Sequence, residues 1–219
     1  MSLFSAPVEG AYHLLGALTA VLPPVVAIIV LTVGTRLALV PLSIRAARAE
    51  KARAALAPRV EKLRRRWKAD PQRLLQETSA LYRREGVSMT GGLLPMLAQA
   101  PFAWVVYRVF TATVIAGQAN ALLVHTFLTV PLGQSWIAVL GTAGVFSPAS
   151  ALFLVLFGLL AVIAWVNARS VPHPLMRLLP FGTVVFAAFV PLAAAVYLVV
   201  SGAWTTAERA VTRRVILTT

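Results

Sequence analysis

Apolar residues in this chain fall in long runs, not in alternating or narrowly amphipathic patterns. The first run, Pro23–Ile44, is broken only by Thr32, Thr35, Arg36 and Ser43. Others occupy Gly91 to about Ile115, about Ser150 to Asn167, and Leu175–Thr206. A helix crossing a bilayer needs roughly 20 mainly apolar residues, so these runs predict membrane spans. Between them the character changes abruptly. Arg45, Arg48, Lys51, Arg53, Arg59, Lys62, Arg64, Arg65, Arg66, Lys68, Arg73, Arg83 and Arg84 crowd one segment, opposed by Glu50, Glu61, Asp70, Glu77 and Glu85.

The basic segment carries its own periodicity. Leu56, Val60, Leu63 and Trp67 follow the i, i+4, i+7, i+11 spacing of one helix face. Asp70-Pro71 is a helix start, with Asp as N-cap and Pro in the first turn. Leu74, Thr78, Leu81 and Tyr82 form a second, weaker stripe, and Gly86 is placed to end that helix. Two helices with one apolar face each predict an antiparallel hairpin, the first kinked at Pro58.

Composition strengthens the membrane reading. Hydrophobic residues make up 59% and charged residues 12% of the 219, against about 45–50% and 25% in globular proteins. At a mean hydropathy of +0.81, polar residues are too few to cover a soluble surface. The net charge of +13 admits nucleic acid, an anionic membrane or cytoplasmic loops as its cause, and its distribution decides for the last. The fold class expected is an all-α polytopic membrane protein.

The positive-inside rule sets the topology. A cytoplasmic basic segment puts the N-terminus outside, C-terminus inside. Residues 116–148 contain no Lys or Arg, which suits an external or interfacial loop. If Asn120–Gly141 spanned instead, Arg169 and Arg177 would be stranded outside. Leu175–Thr206 as one helix would extend about 48 Å and would leave Arg209, Arg213 and Arg214 outside. Two short spans turning near Val190–Pro191 return them to the cytoplasm, with local bilayer thinning.

The expected order is therefore an external segment over 1–22 and a first span over 23–44. A cytoplasmic hairpin over 45–88 and a second span over 89–115 follow, then the loop over 116–148 and a third span over 149–167. A cytoplasmic loop over 168–177, a fourth span over 178–190, a fifth over 191–207 and a basic tail over 208–219 complete it. Met1–Leu22 has no Lys or Arg, so it lacks the basic region of a secretory signal. It is read as mature sequence, with Ala11–Val21 an interfacial amphipathic helix.

Arg36 is the most informative residue. Some 13 residues into its span, it lies about 20 Å deep, where an Arg costs about 2.5–3.5 kcal/mol. It either faces a polar cavity or snorkels and pairs within the bundle. No span contains an acidic partner, which favours a hydrated cavity. Gln99, Thr32, Thr35, Asn167, Ser201 and Thr205 are candidates to line it, though such residues also serve as helix–helix hydrogen-bond partners. Arg108, near the outer end of its span, reads as snorkelling.

Catalysis finds no support. Cysteine is absent, which excludes disulfides, Cys-ligated zinc and thiol chemistry. His13, His125 and His173 stand apart, the spans lack a carboxylate base, and no glycine-rich phosphate loop occurs. No cofactor is expected. Trp67 and Tyr82 alone are too sparse for base stacking, so no sequence-specific nucleic-acid binding is expected either.

Several motifs now agree in spacing. Thr35-Arg36-Leu37-Ala38-Leu39-Val40-Pro41-Leu42 precedes Leu56-Ala57-Pro58-Arg59-Val60-Glu61-Lys62-Leu63 and Asp70-Pro71-Gln72-Arg73-Leu74. Leu81-Tyr82-Arg83-Arg84-Glu85-Gly86-Val87 then leads into Gly91-Gly92-Leu93-Leu94-Pro95-Met96-Leu97-Ala98-Gln99-Ala100-Pro101. Over about residues 23–108 the chain resembles the YidC/Oxa/Alb insertase family, in its short bacterial form. Residues 175–206 resemble the family's closing span pair more loosely. Ser88-Met89-Thr90 departs from the family's Asn-Pro.

The resemblance implies a five-helix core with a groove open to cytoplasm and lipid and closed outside, in the bacterial plasma membrane. It assigns Arg36 and Gln99 to that groove, with Thr32, Thr35, Ser201, Tyr197 and Trp204 as further lining. It also implies a cytoplasmic helical hairpin, whose cations fix topology or bind anionic lipid, with Arg59, Lys62, Arg64, Arg65, Arg66, Arg83 and Arg84 the candidates for docking a ribosome or targeting factor. Its implied partners are nascent membrane proteins and membrane lipids, with ribosome, targeting factors and the Sec translocon as candidates. A small transporter or channel would instead show inverted repeats, which the sequence lacks. A membrane-anchored interaction protein would act through the basic hairpin alone.

Overall fold

The computed structural model describes residues 5–88, 104–105, 107–169, 171 and 174–217. The described residues are mainly helical: α1 (Ser5–Thr19), α2 (Pro24–Arg66), α3 (Pro71–Arg84), α4 (Trp136–Ala143), α5 (Pro148–Ala168), α6 (Gly182–Ala187) and α7 (Leu192–Leu217). By length and composition, α2 and α5 are apolar enough to cross a membrane. The chain forms two compact units. One comprises Met1–Leu37 with Phe102–Val211, the other Ala38–Pro101 with Thr212–Thr219.

Helix α2 continues without interruption from the first apolar run into the basic segment, where the sequence suggested a boundary at 44/45. Ala, Arg, Glu and Lys dominate residues 45–57, and these are strong helix formers, so nothing there stops the helix. It also carries Pro41 and Pro58 within it.

In the first unit, α1 begins earlier than expected and has a buried side. Val8 and Leu15 are buried, with Ala11, Tyr12 and Leu18 packed against the same core, the i, i+3, i+4, i+7, i+10 set of one helical face. The end of the expected second span and the expected loop over 116–148 are folded into short elements. Val114–Ile115 pairs with Gln118–Ala119, and Thr126–Phe127 with Val130–Pro131. The first ribbon turns through Ala116 and Gly117, both at positive φ, which a two-residue hairpin of this twist requires.

Asn120 holds this region together. Its side chain is 4% exposed. Its Nδ2 donates to the carbonyls of Val109 (2.6 Å) and Ala112 (2.9 Å), and its Oδ1 accepts from the Leu122 N–H. The helical residues 107–111 thus have a terminal carbonyl satisfied by a side chain in place of water. Gly133 is needed for space: a Cβ there would lie 2.9 Å from the Leu123 Cβ.

The same region caps a buried helix start. Leu192, Ala193 and Ala195 are fully buried, so the first N–H groups of α7 cannot reach water. Leu192 N–H donates to the Gln134 carbonyl (2.9 Å) and Ala193 N–H to the Leu132 carbonyl (3.0 Å), satisfying donors that a helix leaves orphaned. Helix α5 begins with Ser147 as N-cap and Pro148 in its first turn. Trp136 meets Phe157 edge-on at 5.2 Å, seating α4 on α5.

The segment expected as a fourth span is not one regular helix. Leu175–Phe181 is a 3-10 helix, followed by the short α6 and a turn over 188–191 before α7. Pro180 lies inside the 3-10 stretch and supplies no N–H to an α-helical ladder. Most of residues 89–115, the expected second span, lie outside the described residues.

In the second unit, α3 begins and ends as its sequence dictates. Asp70 Oδ1 accepts from the Arg73 N–H at 2.9 Å, with Pro71 in the first turn. At the other end Val87 N–H reaches the Tyr82 carbonyl (2.9 Å) and Gly86 N–H the Arg83 carbonyl (3.2 Å). Gly86 sits at φ +64, so this is a Schellman cap, in which glycine avoids the left-handed penalty. Leu56 is buried, while Val60, Leu63, Trp67, Leu74, Thr78, Leu81 and Tyr82 are half-buried among exposed neighbours.

Candidate functional site

The first unit brings Arg36 of α2 onto Ser201 of α7. The guanidinium Nη2 donates to the Ser201 hydroxyl, and Ser201 is 7% exposed while Arg36 is half-buried. Among the described residues Arg36 makes no ion pair. A hydroxyl orients a guanidinium but does not neutralise it, so the site keeps a net positive charge.

Thr32 and Thr35 share the helix but not this contact. The Thr32 hydroxyl donates to the Ile28 carbonyl at 2.7 Å, and the Thr35 hydroxyl donates to the carbonyls of Leu31 (2.9 Å) and Thr32 (2.8 Å). Their protons are spent on the helix backbone, leaving only acceptor lone pairs. Tyr197 is half-buried beside the core. Trp204 is half-buried too, and its indole N–H is sealed from water without a partner among the described residues. Gln99 lies outside the described residues.

A second polar group lies along α7. Ser201, Thr205 and Arg209 follow at four-residue steps on one face, and all three line an open cavity of about 310 Å3. Leu160, Ile163, Ala164 and Asn167 of α5, Pro180, Thr183, Leu198 and Gly202 complete its walls. Asn167 Nδ2 donates to the Thr206 hydroxyl and the Ile163 carbonyl, both at 2.9 Å, and Arg209 Nη1 donates to Asn167 Oδ1 at 3.3 Å. The approach of α5 and α7 is close, since a Cβ on Gly202 would stand 3.2 Å from the Ile163 Cγ2. Sequence reading had Asn167, Ser201 and Thr205 as candidates but missed Thr206 and assigned Arg209 to a tail. The regular 201, 205, 209 spacing was the available signal.

In the second unit, Arg59, Lys62, Arg66 and Arg84 surround an open cleft of about 270 Å3 between α2 and α3, with Leu63, Ala80 and Leu81 as its apolar lining and Glu77 at its edge. Arg59 pairs with Glu85 across the hairpin, and Arg65 with Glu61 one turn back at 3.3 Å. Arg73 stacks over the Trp67 ring at 4.2 Å, with Arg66 at 5.4 Å. Arg64 and Arg83 are exposed. The hairpin therefore has a cationic rim around a small apolar cleft.

The chain is similar to known membrane proteins. A family model described as "60Kd inner membrane protein" matches residues 19–218. A membrane protein insertase YidC of Granulibacter bethesdensis is 36% identical over 111 residues, 51% of this chain and 18% of that protein. The YidC of Clostridium perfringens is 36% identical over 87 residues, covering 40% of this chain and 37% of its own length. YidC 2 of Bacillus anthracis is 35% identical over 113 residues, 50% and 42% respectively. The matched segments thus span less than half the length of each of these relatives.

Proposed function

The chain belongs to the 60Kd inner membrane protein family, that of the YidC insertases, and from this premise we propose that it inserts nascent proteins into the bilayer. The observation that carries the reading is the Arg36 guanidinium, held by the Ser201 hydroxyl with no carboxylate partner among the described residues. A charge of this kind within an apolar helix costs about 2.5–3.5 kcal/mol. A function that needs a fixed cation inside the inner leaflet accounts for its retention.

In this reading the chain crosses the bacterial plasma membrane five times, N-terminus outside and C-terminus inside. Arg36 and Ser201 lie in a hydrophilic groove reached from the cytoplasm, together with Gln99, Thr32, Thr35, Tyr197 and Trp204. The acidic or polar tail of a substrate is drawn to Arg36, displacing water and gaining a counter-charge it would lack in lipid. Partition of the adjoining apolar segment completes the transfer. At about −0.3 to −0.6 kcal/mol per Leu, Ile, Phe or Val, a segment of roughly 20 residues outweighs the residual cost of a tail carrying one or two charges. No covalent bond is made or broken.

The basic hairpin receives the substrate at the cytoplasmic entrance. The cationic rim of Arg59, Lys62, Arg66 and Arg84, with Arg64, Arg65 and Arg83 on the exposed faces, suits an acidic ribosome, targeting-factor or translocon surface. The test is insertion of a single-span substrate with an acidic external tail, in cells depleted of their own insertase. Arg36→Ala fails to restore insertion and Arg36→Lys restores it in part. Full restoration by Arg36→Ala for every substrate overturns the charge-based mechanism.

A further inference from the structure

The cavity between α5 and α7 changes character along its length. Leu160, Ile163, Ala164 and Leu198 line one end, and Asn167, Thr205 and Arg209 the other. The two helices run so that Asn167, the penultimate residue of α5, meets Thr206 and Arg209. Leu160 lies two turns back from Asn167 along α5 and Leu198 three turns back from Arg209 along α7, so the apolar end is displaced from the cationic one by about 10–16 Å. At about 310 Å3 the space is at the lower end of what encloses a small ligand. A ligand matching it has an apolar body and an anionic head.

We propose that this cavity seats an anionic phospholipid, with an acyl chain against Leu160, Ile163 and Leu198 and its phosphate at Arg209. Two observations carry it. Arg209 has five N–H donors, and among the described residues one of them reaches a neutral acceptor, Asn167 Oδ1. No Asp or Glu occurs between Trp165 and Ala207 to supply an internal counter-charge on this stretch. Glu208 adjoins Arg209 in sequence but projects about 100° away around the helix.

Direction argues the same way. In the orientation proposed above, on which this inference rests, the polar end of the cavity faces the cytoplasm and its apolar end the bilayer centre. A lipid of the inner leaflet has that polarity. The Asn167 amide protons and the Thr205 hydroxyl proton are spent inside the protein, so Arg209 is the donor that this end offers to the phosphate oxygens. The Arg209 guanidinium meets the phosphate in the planar, two-pronged manner that Arg favours.

The experiment uses the purified full chain in nanodiscs containing equal parts phosphatidylglycerol and phosphatidylcholine, each supplied in turn with a photoactivatable acyl chain. Wild type crosslinks the phosphatidylglycerol probe at α5 and α7 in preference to the phosphatidylcholine probe. Arg209→Gln lowers that preference about fivefold, the effect of one Arg near an anionic surface. Ala164→Phe, which fills the apolar end, lowers capture of both probes while the melting temperature reports that the chain is folded. Equal capture of the two probes by wild type, or undiminished capture in Ala164→Phe, overturns the proposal. So does displacement of the lipid probe by inorganic phosphate, which would make the site one for free anions. The readout requires no insertion, so Arg36→Ala keeps its lipid capture even where it loses insertion, and the two readings fail separately.

Discussion

Arg36 on α2 and Ser201 on α7, 165 residues apart in the chain, are joined by a single N–H···O hydrogen bond. Its acceptor is a hydroxyl, so it fixes the direction of the guanidinium without cancelling its charge. That combination, an oriented and unneutralised cation, distinguishes an attracting site from a structural ion pair.

A double-mutant cycle isolates this bond. Ser201→Ala lowers insertion less than Arg36→Ala does, because the charge survives. The double variant is no worse than Arg36→Ala alone. The coupling expected is about 1.5–3 kcal/mol, that of a hydrogen bond to a charged group, read from the stability of the four proteins in one detergent. Strict additivity contradicts a bond between these side chains.

Asn120→Ala leaves the carbonyls of Val109 and Ala112 and the Leu122 N–H without their side-chain partner, in a place water does not reach. A loss of about 1–3 kcal/mol follows, measured by thermal unfolding with tryptophan fluorescence. A change within about 0.5 kcal/mol, typical of surface positions, contradicts the role assigned to this side chain.

Two glycines carry opposite expectations. Gly133→Ala drives a Cβ to within 2.9 Å of Leu123 and destabilises by about 1–3 kcal/mol through overpacking. Gly158, inside α5, has nothing within 4 Å of a new Cβ, and Gly158→Ala stabilises by about 0.5–1 kcal/mol. Melting temperatures that move in the same direction for both contradict the packing described.

In the hairpin, the cap outweighs the ion pair. Asp70→Ala removes the acceptor for the Arg73 N–H and costs about 0.5–2 kcal/mol. Glu85→Gln breaks the contact with Arg59, whose two side chains are 60% and 41% exposed, and costs about 0–1 kcal/mol, less at high salt. Circular dichroism of the two variants through a denaturant series ranks them.

The hairpin was the most legible part of the sequence. Its signals are local: Asp70-Pro71 starts a helix, Gly86 ends one, and Leu56, Val60, Leu63 and Trp67 fall on one face. Arg36 was legible for another reason, since a charge inside an apolar run conflicts with its surroundings. Its partner was less so, because Ser201 is one of several hydroxyls and only tertiary packing selects it. The folded elements over 114–143 were hidden because they depend on Asn120 reaching back to Val109 and on Gly133 admitting Leu123. The span boundary expected at 44/45 leaves α2 continuous, because the change from apolar to basic residues alters the surroundings of a helix and not its backbone.

The central claim is that the Arg36–Ser201 site is open to water from the cytoplasm and closed from outside. The chain has no cysteine, so Ser201→Cys introduces a single thiol with little change in volume. A membrane-impermeant thiol reagent applied to inside-out and right-side-out vesicles then reads the access directly. Modification in inside-out vesicles, with protection in right-side-out ones, is the predicted result. Reaction from the external side, or from neither, would contradict the account.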